Sequence, residues 1–216
     1  MFILNHQKSL ANHFLAEIRD VNQQTDRLRF RKNLERLGEI LAYEISKDLL
    51  YSPSSLQTPI KDTNVELLVS QPVIVPILRA AVPFFQGFLN YFDRAGCGFI
   101  GAFRMEPAEQ KSEVDIDFGY MAVPDLTGKE VILVDPMLAT GKSFVEAYVH
   151  LLAKGKPSKI HIAAVIAAPE GIEYITQQIN LAHKIWICAL DEKLNDQFYI
   201  VPGLGDAGDL AFGPKE

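Results

Sequence analysis

The sequence predicts a doubly wound α/β fold around a mainly parallel sheet. Short apolar runs rich in β-branched residues alternate with helical patterns between residues 73 and 190, as in parallel strands joined by helices. Several runs are apolar on both faces, which is typical of strands buried between two helical layers. We expect one domain over residues 1–216, with N-terminal helices and a Gly-rich C-terminal segment outside the sheet.

The composition is that of a globular protein with a substantial core. Hydrophobic residues make up 48% of the chain, charged residues 22%, and the formal net charge is -6. This acidic balance argues against binding to nucleic acid or to an anionic membrane, because both need clustered positive charge. No signal-peptide pattern or bilayer-spanning apolar stretch is present, so we expect a cytoplasmic protein.

Residues 1–50 are expected to form the N-terminal helical region. Apolar residues recur there at three- and four-residue spacing, at Leu34, Leu37, Leu41, Ile45 and Leu49. This spacing predicts an amphipathic helix over residues 26–50 with Thr25 as its N-cap. The Ser- and Pro-rich residues 52–59 are interpreted as a loop.

The following segments predict the core of the sheet. Strands are expected at residues 73–78, 99–103, 131–134, 160–166 and 184–190. Helices are expected at residues 81–93, 143–154 and 170–178. Gly155 is placed to be the C-cap of the second helix, and Pro157 would prevent its continuation.

Charged residues directly follow three of these strands. Arg79, Arg104 and Asp135 occupy these positions. Ligands of doubly wound sheets bind beyond the carboxyl ends of the strands, so we expect these residues to share one edge. Two cations and a carboxylate suit a phosphorylated sugar accompanied by a metal ion.

Residues 131–143, VILVDPMLATGKS, combine a strand, an acidic residue, a short loop and a helix. The loop opens onto a helix N-terminus, whose unpaired amides favour a phosphate. Thr140 and Ser143 add hydroxyl donors, while Asp135 is placed to accept hydrogen bonds from sugar hydroxyls. The Walker A alternative fails because Pro136 stands where that motif needs its first glycine. On this stretch alone, an ordinary strand-to-helix turn remains open.

Several segments, in the same order along the chain, resemble those of uracil phosphoribosyltransferases. Residues 134–143 look like the family's motif for PRPP (5-phosphoribosyl 1-diphosphate). Residues 76–80 and 99–104 resemble the segments that carry its two arginines, and residues 167–171 match a further segment. The tail, YIVPGLGDAGD at residues 199–209 followed by Phe212 and Gly213, is similar to the family's uracil-recognition segment. The resemblance covers nearly the whole chain.

The tail suits base recognition on its own chemistry. Four glycines stand within residues 203–213, so this segment can present its N–H and C=O groups to a small planar ligand. A site built from such hydrogen bonds rejects bases that leave its polar groups unpaired. From composition alone, a flexible Gly-rich C-terminus is the alternative.

The resemblance implies a type I phosphoribosyltransferase fold and the reaction of uracil with PRPP, giving UMP and pyrophosphate. Mg²⁺ would be held mainly by PRPP. The implied PRPP-binding residues are Arg79, Arg104, Asp135, Pro136, Met137, Leu138, Ala139, Thr140, Gly141, Lys142, Ser143 and Asp206. The implied uracil-binding residues, within a recognition segment over residues 196–213, are Ile200, Gly205, Asp206 and Ala207. Arg79, Arg104 and Asp135 are the implied catalytic residues. Family members are dimers or larger, so a homo-oligomer (dimer or tetramer) is implied, and some members are stimulated by GTP.

Three features depart from the family pattern. Lys142 stands where the uracil enzymes usually have glycine, and a cation at a helix start is unfavourable unless an anion is present. Residues 105–125, the expected mobile loop over the site, retain Glu106 but lack the usual lysine before Leu-Pro. Leu210 replaces a commonly charged residue. The loop change bears on catalytic rate more than on substrate identity.

Two other functions remain open from the sequence. One is a phosphoribosyltransferase for another base, against which the tail argues. The other is a non-catalytic sensor of PRPP or uracil, including an RNA-binding regulator, which the net charge of -6 does not favour. Structural or solvated roles are expected for the histidines, which are His6, His13, His150, His161 and His183. Cys97 and Cys188 are expected to be buried, reduced thiols.

Overall fold

The computed structural model describes residues 1–104 and 116–214, and at residues 102–104 and 116–118 it describes the backbone only. The helices are α1 (Ala11–Arg19), α2 (Arg27–Ser46), α3 (Val82–Tyr91), α4 (Lys142–Leu152), α5 (Pro169–Gln178) and α6 (Ala207–Phe212), and a 3-10 turn spans Leu4–His6. The strands are β1 (Phe2–Ile3), β2 (Tyr51–Gln57), β3 (Asp62–Leu68), β4 (Val73–Leu78), β5 (Gly96–Cys97), β6 (Phe99–Arg104), β7 (Ile116–Ala122), β8 (Glu130–Val134), β9 (Met137–Leu138), β10 (Lys159–Ala167), β11 (His183–Leu190), β12 (Lys193–Leu194) and β13 (Ile200–Val201).

One mainly parallel sheet organises the described part of the chain. Its strand order is β1-β11-β10-β8-β4-β6-β7, with β5 beside β4 and β9 beside β10. The neighbouring strands are parallel, except that β7 runs antiparallel to β6. The predicted fold class is therefore confirmed.

Helices cover both faces of this sheet, which explains why its strands are apolar on both sides. Ile132 and Val134 of β8 pack into a core with α1, α2 and α3. Val131 and Leu133 of the same strand pack into a second core with α4 and α5. Side chains alternate between the faces of a strand, so a strand buried on both faces needs apolar residues at every position.

The predicted strands and the helices between them are confirmed with small shifts at their ends, whereas the N-terminal region differs. Asp26, and not Thr25, caps α2, because its carboxylate accepts a hydrogen bond from the Arg29 amide at 3.0 Å. The residues interpreted as a loop after this helix form β2, which pairs antiparallel with β3. A two-stranded hairpin tolerates Pro53 because both of its strands are edges.

Two further predictions need correction. Gly155 is not the C-cap of α4; Ala153 is, and Gly155 follows in the turn with a φ of 113°. Within the expected loop over residues 105–125, Ile116–Ala122 form β7, while residues 105–115 lie outside the described residues. The pairing of β7 with β6 is a contact between distant segments, which local patterns do not reveal.

The structure also bears on the predictions for membrane-spanning segments and for the two cysteines. None of the helices in the described ranges is long and apolar enough to cross a bilayer. Cys188 is buried and Cys97 partly buried, and both are free thiols. Burial raises the pKa of each thiol.

A glycine pair sets the close approach of α2 to α3. A Cβ atom on Gly38 would overlap the carbonyl oxygen of Phe84, and one on Gly87 would overlap the carbonyl oxygen of Glu35. The two helix backbones therefore touch, and neither position has room for a methyl group.

We predict that Gly38→Ala lowers the free energy of unfolding by about 3 kcal/mol, because the added methyl forces the helices apart. Gly96→Ala is the control, since the nearest atom to its added Cβ is 3.8 Å away, and we expect a change below about 1 kcal/mol. Urea unfolding followed by circular dichroism measures both. Equal stability of the two variants would contradict the packing described.

Candidate active site

A cavity of about 440 Å³ lies at the carboxyl edge of the sheet. The ends of β4 and β8, the start of α4 and the C-terminal segment surround it. Its lining residues are Ile77, Leu78, Arg79, Ala80, Gly101, Tyr120, Asp135, Met137, Ala139, Thr140, Gly141, Ser143, Phe144, Phe198, Tyr199, Ile200, Gly205, Asp206, Ala207 and Gly208.

The loop between β8 and α4 forms one wall of the cavity. Asp135 follows β8, and its carboxylate accepts a hydrogen bond from the Met137 amide at 3.1 Å. Gly141 is the N-cap of α4 with a φ of 78° and has no side chain to cap the helix. The Lys142 amide donates to the Thr140 hydroxyl oxygen at 3.4 Å, which leaves the amides of Ser143 and Phe144, with their partial positive charge, as the first-turn donors for an anion.

Strand β10 and helix α5 hold this loop from behind. The carbonyl oxygen of Pro136 accepts hydrogen bonds from Val165 and Ile166, at 3.0 and 3.1 Å, and that of Leu138 accepts one from Ala168 at 2.9 Å. Pro136 and Leu138 serve this anchoring and do not line the cavity. Lys142, the first residue of α4, does not line it either.

Two glycines allow the start of helix α5 to contact the backbone of this loop. A Cβ atom on Gly171, in the first turn of α5, would overlap the carbonyl oxygen of Ala139, and one on Gly141 would lie 2.7 Å from the carbonyl oxygen of Gly171. The segment at residues 167–171 therefore acts as the platform for the loop.

Arg79 lines the opposite wall and is tied to the C-terminal segment. Its Nη2 donates to a carboxylate oxygen of Asp209 at 2.9 Å and to the carbonyl oxygen of Gly213 at 2.8 Å. Its Nε is buried and has no hydrogen-bond partner among the described residues. Arg104 is the last residue of β6, and its side chain lies outside the described residues; Gly101 of that strand lines the cavity.

The C-terminal segment brings the four predicted uracil-binding residues to the cavity. Ile200 lies in β13, and Asp206 caps α6 by accepting a hydrogen bond from the Asp209 amide at 3.0 Å. Gly205 has a φ of 93°, and a Cβ atom there would meet no atom closer than 4.0 Å. Glycine is therefore required at this position by the backbone conformation and not by lack of space.

Sequence reasoning missed several aromatic lining residues. They are Tyr120, Phe144, Phe198 and Tyr199. Tyr120 reaches the site because β7 pairs with β6, where it lies opposite Gly101. Phe198 and Tyr199 directly precede Ile200, so their place beside a predicted base-binding residue was the available signal.

The histidines lie outside the cavity lining. His161 is fully buried, and its Nδ1 lies 3.1 Å from the Trp186 indole nitrogen. Because the indole N–H only donates, Nδ1 is the acceptor, and Nε2 carries the proton that it shares with Glu130 at 2.8 Å. His161 is thus a satisfied core residue, as expected.

The donor set of the cavity fits a cation held mainly by a ligand. Among the residues that the structure describes, no group of three or more His, Cys, Asp or Glu side chains could hold a metal ion by itself. The cavity does contain the carboxylates of Asp135 and Asp206. Mg²⁺ in phosphate sites commonly takes one or two carboxylates and completes its shell with phosphate oxygens and water.

Comparison with known proteins gives consistent matches over nearly the full length. The family model for uracil phosphoribosyltransferase matches residues 5–214. The uracil phosphoribosyltransferase of Porphyromonas gingivalis is 46% identical over 212 residues, covering 98% of this chain and 97% of the relative. That of Staphylococcus aureus is 40% identical over 210 residues, covering 95% of each chain.

A more distant relative and a solved structure extend this agreement. The uracil phosphoribosyltransferase of Pyrococcus furiosus is 36% identical over 202 residues, covering 92% of this chain and 84% of the relative. The solved structure of the AQ2163 protein from Aquifex aeolicus superposes with a TM-score of 0.86 at 34% identity, covering 99% of this chain and 98% of the other. Since the family model and these relatives span almost the entire sequence, the chain belongs to the uracil phosphoribosyltransferase family.

Proposed function

We infer that this chain transfers the 5-phosphoribosyl group of PRPP to N1 of uracil, giving UMP and pyrophosphate. One observation carries the inference: a single cavity joins the N-terminus of α4 to the C-terminal segment. A phosphate subsite and a planar-base subsite are thus adjacent, as the joining of a phosphorylated sugar to a base requires. Membership of the family agrees with this reaction.

The loop at residues 135–143 is the proposed site of the ribose 5-phosphate. The amides of Ser143 and Phe144 are the proposed donors to its phosphate, and the hydroxyls of Thr140 and Ser143 lie at the cavity wall. Asp135 is the proposed acceptor for the ribose hydroxyls. The Lys142 amide donates to the Thr140 hydroxyl oxygen at 3.4 Å, and we propose no side-chain contact for Lys142 with PRPP because it does not line the cavity.

Arg79 is the proposed contact for the pyrophosphate. Its side chain lines the cavity, and its buried Nε has no partner in the described part of the chain. Asp209 and Gly213 hold the guanidinium at its Nη2. Planar guanidinium groups suit phosphate oxygens, and the charge stabilises the leaving group as the bond to C1 of ribose breaks. Arg104 keeps the same proposed role by resemblance.

The backbone of Ile200 and of residues 205–207 is the proposed reader of uracil. Uracil N1 attacks C1 of PRPP, the bond from C1 to the pyrophosphate oxygen breaks with its electron pair, and N1 loses its proton. The protein positions both partners and stabilises the separating charge. Asp135 and Asp206 are the lining carboxylates that would help PRPP to hold Mg²⁺, which would supply positive charge to the leaving pyrophosphate.

We further propose a homo-oligomer (dimer or tetramer) in the cytoplasm, with no nucleic-acid or membrane partner. Apolar side chains stand exposed on and beside the β2–β3 hairpin, including Ile60 at 91% and Leu67 at 50% exposure. Surfaces of this kind are commonly covered by partner chains. The net charge of -6 supports the exclusion of nucleic acid. Adding GTP to the activity assay tests whether it stimulates this enzyme.

We predict that the purified protein with PRPP and Mg²⁺ converts radiolabelled uracil to UMP but does not convert cytosine, orotate or hypoxanthine. Asp135→Asn should lower kcat/KM by at least about 100-fold, because it removes a charge placed at the reacting sugar. Thin-layer separation of labelled UMP measures both. PRPP binding without any UMP formation would contradict the catalytic proposal and favour a sensor.

We predict that Gly171→Ala weakens PRPP binding at least about tenfold, because its methyl displaces the loop backbone at Ala139. Titration calorimetry with PRPP and Mg²⁺ measures this directly. Gln177→Ala is the control, since this exposed residue lies on the same helix and its side chain donates to Glu173 of that helix at 3.1 Å. Unchanged PRPP affinity in the Gly171 variant would show that the platform does not set the loop.

A further inference from the structure

Arg19, Asp191 and Gly203 form a contact that lies outside the cavity lining. The Arg19 guanidinium, at the end of α1, donates from Nη1 and Nη2 to the two carboxylate oxygens of Asp191, at 2.9 and 2.7 Å. Nη1 also donates to the carbonyl oxygen of Gly203 at 3.1 Å. Asp191 in turn accepts a hydrogen bond from the Gly203 amide at 2.9 Å. We call this contact the Arg19–Asp191 clamp.

The clamp is a buried and geometrically specific arrangement. The Asp191 side chain is 4% exposed and that of Arg19 22%. A two-pronged arginine–carboxylate pair fixes distance and orientation together, which a single-point lysine contact does not. Both backbone polar groups of Gly203 are thereby held, one by each member of the ion pair.

The position of Gly203 gives the clamp its significance. Gly203 lies between Ile200 and Gly205 in the recognition segment. Its φ is 64°, and a Cβ atom there would overlap the carbonyl oxygen of Ile200. The segment therefore turns sharply at the clamped residue, and any shift of Gly203 moves the flanking backbone groups.

The clamp also connects the turn at Gly203 to the central sheet. Asp191 directly follows β11, and its amide donates to the carbonyl oxygen of Ala167, the last residue of β10, at 2.8 Å. The backbone of the recognition segment is thus aligned against the same strand end that supports the loop at residues 135–143. That loop has its own hydrogen bonds to β10, so it does not depend on the clamp.

We propose that Arg19 and Asp191 are positioning residues for uracil, which set the backbone of the recognition segment without touching the base. This inference rests on the proposed function. The proposal explains why the N-terminal helix α1 contacts the C-terminal recognition segment through Arg19. It requires that loss of the clamp weakens uracil binding while PRPP binding persists.

The test is a steady-state comparison of the wild type with Arg19→Lys, Arg19→Met and Asp191→Asn. With PRPP saturating, we expect KM for uracil to rise at least about tenfold in Arg19→Met and less in Arg19→Lys, which keeps the positive charge on a single donating nitrogen. With uracil saturating, KM for PRPP should stay within about twofold of the wild type, since the loop is supported independently. Calorimetry with PRPP alone should show unchanged affinity.

Arg29→Lys is the matched control. Arg29 makes the same two-pronged pair with Glu17, at 2.7 Å for both bonds, and joins α2 to α1 without contacting the recognition segment. Its hydrogen bonds, with that of Asn33, lower the pKa of Glu17 to about 2. Replacing this arginine should leave both KM values unchanged, because no element of the cavity is aligned by it.

Thermal melting gives the folded fraction of each variant, and Asp191→Asn, which keeps the side-chain shape, serves if Arg19→Met does not fold. Three results would overturn the positioning role of the clamp and leave the proposed function standing. They are an unchanged KM for uracil, an equal rise in both KM values, and a loss of kcat in proportion to unfolded protein. A wild type that neither forms UMP nor binds uracil would overturn the clamp and the proposed function together.

Discussion

Hydrogen bonds from the end of β10 to the carbonyl oxygens of Pro136 and Leu138 decide where the first turn of α4 points. They hold the loop in the extended form of β9 beside β10, so the chain must turn at Gly141 to enter the helix. That turn places Ser143 and Phe144, in the first turn of α4, at the cavity. The proposed binding of an anion at this helix start thus depends on the sheet pairing behind it.

The two halves of the cavity are stabilised in different ways. The half proposed to bind phosphate lies on the sheet itself, with glycine contacts to α5 as its platform. The half proposed to bind the base is a segment with little regular structure, held by short-range turns and by the hydrogen bonds of Gly203 to Asp191 and Arg19. In the proposed arrangement, the side chains of Arg19 and Asp191 hold the backbone of this segment in place without touching the base.

Much of the fold was predictable because its signals are local. The strands after residue 73 and the loop from Asp135 to Ser143 show their character in consecutive residues. The residues of β2 were wrongly taken for a loop, since Ser and Pro there indicated a turn while the pairing with β3 decided the structure. Tyr120 was missed for a similar reason, because it reaches the cavity only through the pairing of β7 with β6.

Local sequence patterns predict the candidate site only in part. Composition and order pointed to residues 135–143 as a unit, but the strand register with β10 divides them into lining and anchoring residues, with Pro136 and Leu138 in the second group. Arg19 and Asp191 are separated by 172 positions, so no local pattern joins them. Their relation became visible only once the folded chain brought the end of α1 to the end of β11.

A crystal structure of the protein with UMP bound would test the central claim most directly. The account predicts that the phosphate of UMP accepts hydrogen bonds from the amides at the start of α4, and that the ribose hydroxyls lie at Asp135. It also predicts that the edge of the base meets the backbone of Ile200 and of residues 205–207. UMP bound elsewhere, or with its base away from the C-terminal segment, would contradict the account.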